Sequence, residues 1–468
     1  MMVREEKMIR GSATIIDYSK NAAAMVSAAG RLSSTLGSAN ETYQLSVDKS
    51  DEVNNRLIQK ILSSGHSSVL EHIVVNLSFD NVSVFVEQFM IEHRLASFTV
   101  KSRRYVDFGA AGYVLPDFSA YGKSAQAFRN TYEEYMTFLF KKYNEFVDAG
   151  IPKEDARFVL PYSFRSNFFC TVNAREFLYI VKDMVYGRGR NYPEVVLLGE
   201  SLIQQGESIF PYLDFKPAKN QIDDSSWAND AVDMAQQYRA TRREAKVTLF
   251  CGSVTPLETV KKAYLLQMGR YPANGILCQV DTQQMMQAIL SSPRKRELEQ
   301  INYTILFNHL SLAGITHLVR HRMQSIVIPE FVQCYDFSDY VIPQTIVEAG
   351  LLEQYNDIFH TCGKAVSSLK QTGFRSDDLV YFLLSGLTMP VMTTMNGREL
   401  LTFIKLRACN RAQWEIRENA VELLKELRCA SPEIFQYFGP SCYVLDYCPE
   451  GKMTCGQIET VRAQFISK

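Results

Sequence analysis

One block of this chain occurs twice. Glu92-His93-Arg94-Leu-Ala-Ser97 returns 228 positions later as Arg320-His321-Arg322-Met-Gln-Ser325. The same offset, without a gap, lays Ile61-Leu-Ser-Ser64 on Ile289-Leu-Ser-Ser292, Leu70-Glu71 on Leu298-Glu299 and Phe79 on Phe307. At an offset of 223, Asp155 meets Asp378, Leu160 meets Leu383, and Thr171-Val-Asn173-Ala-Arg175-Glu176 meets Thr394-Met-Asn396-Gly-Arg398-Glu399. Two blocks repeated in the same order mean one structural module built twice.

Length and composition bound what the copies can be. The chain has 468 residues, 46% apolar and 22% charged, which suffices for large cores in at least two domains. The polar, turn-rich Pro217-Ala-Lys-Asn-Gln-Ile-Asp223-Asp-Ser-Ser226, followed by a candidate helix from Trp227 to Arg243, places the join. Module one is therefore expected over residues 1–218, a connecting helix over 219–244 and module two over 245–468. A formal charge of -1 excludes a global attraction to nucleic acid or anionic membrane, so any anion site must be assembled from local arginines. The start, Met1-Met-Val-Arg-Glu-Glu-Lys-Met8, has no apolar run for a signal peptide, and the greasiest stretch, Ile305 to Val319, is interrupted by Asn308, His309 and His317. A soluble cytoplasmic protein is the expectation. Ten cysteines without secretory context read as reduced thiols. The tail spacing, Cys429 and then Cys442-x5-Cys448-x6-Cys455, is looser than the close pairs of zinc sites, and no metal is expected.

Within a module the pattern is mixed. Ile73 to Phe79 and its counterpart Tyr303 to Phe307 alternate like half-buried strands. Asn81 to Ile91 and Ser311 to Val319 then read as helices ending at the His-Arg pairs. Asn396 to Arg428 carries Leu400, Phe403, Ile404, Ala408, Ala412, Ile416, Val421, Leu424 and Leu427 at helical spacing and predicts one long helix. The equivalent helix of module one starts at Asn173 but meets Gly187-Arg-Gly189-Arg-Asn-Tyr-Pro193, where glycines and proline should break it, so its far end is expected to be missing.

These blocks carry a resemblance. Gly65-His66-Ser-Ser68-Val-Leu-Glu71-His72, then His93-Arg94-x-x-Ser97-x4-Ser102-x-Arg104-Tyr105, resembles the flavin-dependent thymidylate synthases, whose signature runs Arg-His-Arg-x-x-Ser-x-Asn-x-x-Ser-x-Arg-Tyr. Ala156-Arg157-Phe-Val-Leu160-Pro161 and Asn173-Ala-Arg175 in module one fit the same family. So do Leu406-Arg407 and Ala412-Gln413-Trp414-Glu415-Ile416-Arg417 in module two, and Gly439-Pro-Ser-Cys442 with Cys448-Pro-Glu450-Gly in the tail. The likeness implies an α/β (α+β) fold of two tandem modules, each a small, mostly antiparallel sheet packed with helices and one long helix. It also implies an enzyme that passes a methylene from methylenetetrahydrofolate to C5 of dUMP with FAD as cofactor and NADPH as reductant. In such chemistry the cofactor does the difficult step and the protein supplies orientation and electrostatics.

The family's site is shared between subunits of a homotetramer, and the two modules depart from its pattern in complementary ways. Module one has Glu92 for the leading arginine, Thr99 for the asparagine and Met184 at the place of Arg407. Module two keeps Arg320 and Arg407 but has Val327 for the asparagine, Glu330 opposite Ser102, Val380 opposite Arg157, and Arg294 and Gln300 opposite His66 and His72. The resemblance therefore implies one whole composite site. Ser102, Arg103, Arg104 and Arg157 would come from module one and Arg320 and Arg407 from module two, with Ser102 and Arg407 nearest the chemistry. The opposite pairing places Glu92 and Glu330 around an anion and is expected to be dead, because a carboxylate repels phosphate. A nucleotide phosphate, with about two negative charges by analogy with phosphorylated side chains, calls for guanidinium forks.

By the same resemblance, His66, Ser68, Glu71, His72, His93, Arg94, Asn173, Arg175, Arg320, His321 and Arg322 would line the flavin. Plainer roles stand beside these: Ser68-x-x-Glu71 reads as a capping box, His66 and His72 as structural histidines, Ser97 and Ser325 as structural hydrogen-bonders. Two other functions remain open. One is a flavin-dependent C5 methylase of another uridine nucleotide, motivated by Thr99 and Val100; the other is a non-catalytic flavin or nucleotide binder, motivated by Glu92 and Glu330. By analogy with four modules per assembly, a homodimer forming a pseudo-tetramer is expected.

Overall fold

The computed structural model describes residues 11–217, 245–270 and 274–466. The connecting helix expected from Trp227 to Arg243 lies outside the described residues. The chain divides into two compact units that do not follow chain order: one takes residues up to Asp230 together with Ile342–Ser385, the other Ala231–Val341 and Gly386–Lys468.

The first unit holds a four-stranded antiparallel sheet of β1 (Ser12–Tyr18), β2 (Val74–Ser83), β3 (Ala96–Val100) and β4 (Arg165–Asn173), in the order β1-β2-β4-β3. Val75, Leu77 and Phe79 of β2 are fully buried, and Phe79 stacks on Phe168 of β4 with ring centroids 4.5 Å apart. Alternation along the strand thus produces the buried face, as the period of two requires. The helices Ala174–Val185 and Pro193–Ile209 follow β4 in the chain. Elsewhere in the unit the helix Ala125–Asp148 meets the segment Ile342–Ser385: Phe128 packs on Phe374, Tyr132 on Phe382 and Phe146 near Tyr355, while the Tyr135 hydroxyl donates to the Phe382 carbonyl at 2.8 Å.

The second unit repeats the sheet with β5 (Val247–Gly252), β6 (Asn302–Ser311), β7 (Gln324–Val327) and β8 (Thr388–Asn396), in the order β5-β6-β8-β7. Its register repeats as well. Val74 pairs with Asn173 and Asn302 with Asn396, and both ladders slip at the same place, between Phe79 and Val82 and between Phe307 and Leu310. A bulge kept at the repeat offset is a feature of the module rather than of one sequence.

Three expectations about helices are corrected. The helix expected from Asn81 begins only at Val84, because Asn81 takes a left-handed conformation in the bulge (φ 55°) and the ladder resumes at Val82. The side chain of Ser83 then caps the helix Val84–Ile91 by accepting from Val86 N–H, as Ser311 does for Leu312–Leu318 from Gly314 N–H. The single long helix expected from Asn396 to Arg428 is two helices, Gly397–Arg407 and Trp414–Ala430. A turn closed by Ala412 N–H on the Cys409 carbonyl separates them, and Gln413 caps the second. The apolar period ran through because both helices bury residues in the same unit. Nor is the far end missing in module one. Pro193–Ile209 has the same 17 residues as Trp414–Ala430, and each buries an early glutamate on a capping serine: Glu194 accepts from Ser83 N–H, Glu415 from Ser311 N–H.

Candidate functional site

In the second unit several candidate residues converge on a buried histidine. His321 follows the helix Leu312–Leu318, is 5% exposed, and sits against Phe403 at 5.0 Å. Its Nδ1 lies 2.9 Å from Glu399 Oε1, and its Nε2 accepts from Arg407 Nε at 3.0 Å. Arg407 also donates to the His317 carbonyl at 3.1 Å. Burial, and after the opposing Glu399 bond the Arg407 charge, hold the His321 pKa below the ordinary imidazole value. On either side of His321 in sequence, Arg320 and Arg322 reach the surface.

Module one turns the same position inward. His93 is equally buried, but its Nε2 lies 3.3 Å from Asp183 Oδ2 and its Nδ1 3.2 Å from the Met90 carbonyl. Asp183 in turn accepts from Arg188 at 3.1 Å, and Arg188 donates to Glu92 at 2.8 Å while lying over the Phe89 ring at 4.8 Å. Arg188 reaches Asp183 because Gly187 and Gly189 fold the chain tightly onto the preceding helix. A Cβ at Gly187 would stand 2.4 Å from Asp183 Oδ1, and one at Gly189 2.3 Å from the Met184 carbonyl. The carboxylate at the leading-arginine position is thereby paired within its own module, with an arginine it shares with Asp183. Met184, at the place of Arg407, is fully buried.

The substrate-loop residues of module one form a second group. Arg104 donates through Nε to Glu154 Oε2 at 2.7 Å, and Arg157, 3% exposed, donates through Nε to the Glu154 carbonyl at 3.0 Å. One residue thus gathers both guanidinium groups. Ser102 opens the turn: its carbonyl accepts from Tyr105 and Val106 N–H, and its hydroxyl is 3.4 Å from Arg104 N–H. Arg103 points elsewhere. It is buried in an ion pair with Glu87, which also accepts from the Ser166 hydroxyl.

The residues expected at a flavin are spread over the surface of module one. His66, Ser68, Glu71 and His72 are exposed on or beside the 3-10 turn Ser67–His72, and Arg94 is exposed. Ser68 makes no capping box there, since the cap position falls two residues earlier, on His66, without a side-chain cap. Glu71 pairs with Arg175 at 2.6 Å, and Glu299 pairs with Arg398 at the equivalent positions of module two. Asn173 and Asn396 each cap the following helix by accepting from Glu176 and Glu399 N–H, at 2.8 and 2.9 Å. A bond present in both copies belongs to the module's architecture, so these asparagines have a structural task whatever else they do.

Cys429 is exposed, whereas Cys442 is buried, and its thiol pKa is raised by burial and then by Cys409 nearby. Among the described residues no group of three metal-ligating side chains is arranged to hold an ion, and no helix is long and apolar enough to cross a membrane. Sequence reasoning missed Arg188, Asp183, Glu154 and Glu87. In sequence Gly187-Arg-Gly189-Arg signals only a helix break, and carboxylates that serve arginines carry no pattern of their own. Glu399 carried no assigned role either, although a signal for it exists in Asn-x-Arg-Glu, which recurs at the 223 offset.

Two segments, residues 14–212 and 252–433, match the family described as thymidylate synthase complementing protein. Over 191 residues the chain is 33% identical to the flavin-dependent thymidylate synthase of Geobacter sulfurreducens, covering 40% of this chain and 81% of that protein. It is 34% identical over 182 residues to that of Nitratidesulfovibrio vulgaris, covering 36% and 74%. A crystal structure described as a UMP/dUMP methylase PolB from Streptomyces cacaoi bound with 5-Br dUMP aligns over 43% of this chain and 92% of that one. Its identity is 23% and its TM-score 0.37, too low to carry an argument.

Proposed function

We propose, from the premise that this chain belongs to the thymidylate synthase complementing protein family, that it is a flavin-dependent thymidylate synthase. It methylates dUMP to dTMP with methylenetetrahydrofolate as carbon donor and NADPH as reductant. The observation that carries the reading is the pair of guanidinium groups, Arg104 and Arg157, gathered on Glu154 in a family member. Two forks beside one carboxylate leave net positive charge for a nucleotide phosphate.

The residues present fit a flavin dinucleotide in kind: exposed Arg94, Arg320 and Arg322 suit its diphosphate, and exposed His66, Ser68 and His72 offer donors and acceptors. When bound, FAD supplies the redox and one-carbon chemistry. The chain binds and orients. Arg104 and Arg157 hold the phosphate, Ser102 donates a hydrogen bond to the pyrimidine, and Arg407 holds the pyrimidine edge.

The pairing of Ser102, Arg104 and Arg157 from one module with Arg320 and Arg407 from the other rests on which residues each copy kept. The surroundings of Glu92 support it, because Arg188 is shared between Glu92 and Asp183 and leaves one carboxylate charge unmatched, which repels a nucleotide phosphate. A homodimer then assembles four modules, as four modules do in the family.

The test is direct. Purified protein should be yellow and, supplied with NADPH and methylenetetrahydrofolate, should convert dUMP to dTMP. A colourless protein with no dUMP affinity overturns the reading, and turnover of UMP alone replaces it with methylation of that nucleotide.

A further inference from the structure

Arg407 is half-buried, and its guanidinium is held at Nε by one ring and through another nitrogen by the His317 carbonyl at 3.1 Å. Arginine can only donate, so the His321 nitrogen 3.0 Å from Arg407 Nε must be the acceptor. In a neutral imidazole the other nitrogen then carries the proton, and Nδ1–H donates to Glu399 Oε1 at 2.9 Å. Both ends therefore fix one tautomer. Glu399 is placed firmly enough to do this: it is 8% exposed and its backbone N–H is held by the Asn396 cap at 2.9 Å.

Module one provides the comparison. Glu176 stands at the place of Glu399 and Met184 at the place of Arg407. With no arginine to receive, His93 points Nε2 at Asp183 and Nδ1 at the Met90 carbonyl, so that both nitrogens face oxygen acceptors. The glutamate is kept in both modules, but the Glu-His-Arg chain of bonds exists where the arginine does.

We propose that Glu399 is a positioning residue for Arg407, acting through His321. The inference rests on the reading of Arg407 as the arginine that holds the pyrimidine. Glu399 does not touch substrate; it sets the imidazole tautomer, and the imidazole aims the guanidinium. By analogy with residues that orient metal ligands from the second shell, its loss should cost about 10- to 100-fold in activity.

Three variants test it. Glu399→Ala should lower kcat/KM for dUMP by about 10- to 100-fold, while flavin content and melting temperature stay near those of the parent. Glu399→Gln keeps an oxygen for Nδ1–H and should recover most of that loss. His321→Gln sets an amide oxygen near the former Nε2 position and so serves Arg407 directly; adding Glu399→Ala to it should bring little further loss. If Glu399→Ala keeps its full effect in the His321→Gln background, or Glu399→Gln is as poor as Glu399→Ala, the proposal is overturned. A crystal structure of Glu399→Ala gives a readout independent of turnover. Arg407 should leave its 3.0 Å contact with His321, and an unmoved guanidinium sinks the relay. An inactive parent protein whose Arg407 nevertheless moves sinks the functional reading and leaves the relay standing.

Discussion

At the scale of single residues, the same histidine does opposite work in the two modules because of what the helix following β4 or β8 presents to it. His321 meets a donor and an acceptor, His93 two acceptors, and the difference follows from Arg407 against Met184. Asp183 bears the consequence. Burial alone would raise its carboxyl pKa, but the His93 bond and the Arg188 charge overcome this and bring it down to about 2. A carboxyl held below its ordinary value stabilises the fold above the unfolded range, near 3.8, and loses that contribution as pH falls through about 2. Asp183→Asn should therefore cost about 2 kcal/mol at neutral pH. Amide hydrogen exchange in Ala174–Val185 should show it, together with a flatter acid limb between pH 4 and 2. For activity, Arg157→Ala and Arg320→Ala should each abolish dTMP formation, whereas Arg294→Ala, at an exposed position opposite His66, should leave kcat/KM within a factor of about two, the range of solvated surface changes. Activity that survives both of the first two changes refutes the shared site.

At the scale of elements, conflict between pattern and punctuation decided what was legible. Strand alternation in β2 and β6, and the helix starts at Asn173 and Asn396, could be read directly, because the period of two and the capping asparagine are local. The bulge at Asn81 and the break between Arg407 and Trp414 could not, since each depends on a neighbouring strand or a buried turn. Removing the caps should expose their equivalence: Asn173→Ala and Asn396→Ala should each cost about 1 kcal/mol, seen as faster exchange confined to the first turn of the following helix. Gly189→Ala, with its Cβ driven onto the Met184 carbonyl, should cost about 2 kcal/mol and loosen the Arg188 contacts. A melting temperature unchanged by Gly189→Ala would show that the turn yields without strain.

At the scale of the whole molecule, the compact units and the sequence repeat divide the chain differently. Ile342–Ser385 lies within module two by sequence but belongs to the first unit, where Phe374, Phe382 and Tyr355 meet the aromatic face of Ala125–Asp148. A chain ending at Asp230 should therefore aggregate or lack cooperative melting, and supplying residues 342–385 on the same polypeptide should restore it; a well-folded shorter chain would contradict the assignment. The sequence by itself determined that one module is present twice, that each is a small antiparallel sheet with helices, and which arginines each copy kept. The repeat follows from spacing and residue type, which are one-dimensional; the sheet and the set of kept arginines follow from the family resemblance that the motifs carry. Only the tertiary structure decided that Arg103 pairs with Glu87, that Glu92 is answered by Arg188, and that Glu399 and Arg407 meet opposite nitrogens of His321. Those partners are brought together by packing across 16 to 96 residues of chain, and no local pattern records them.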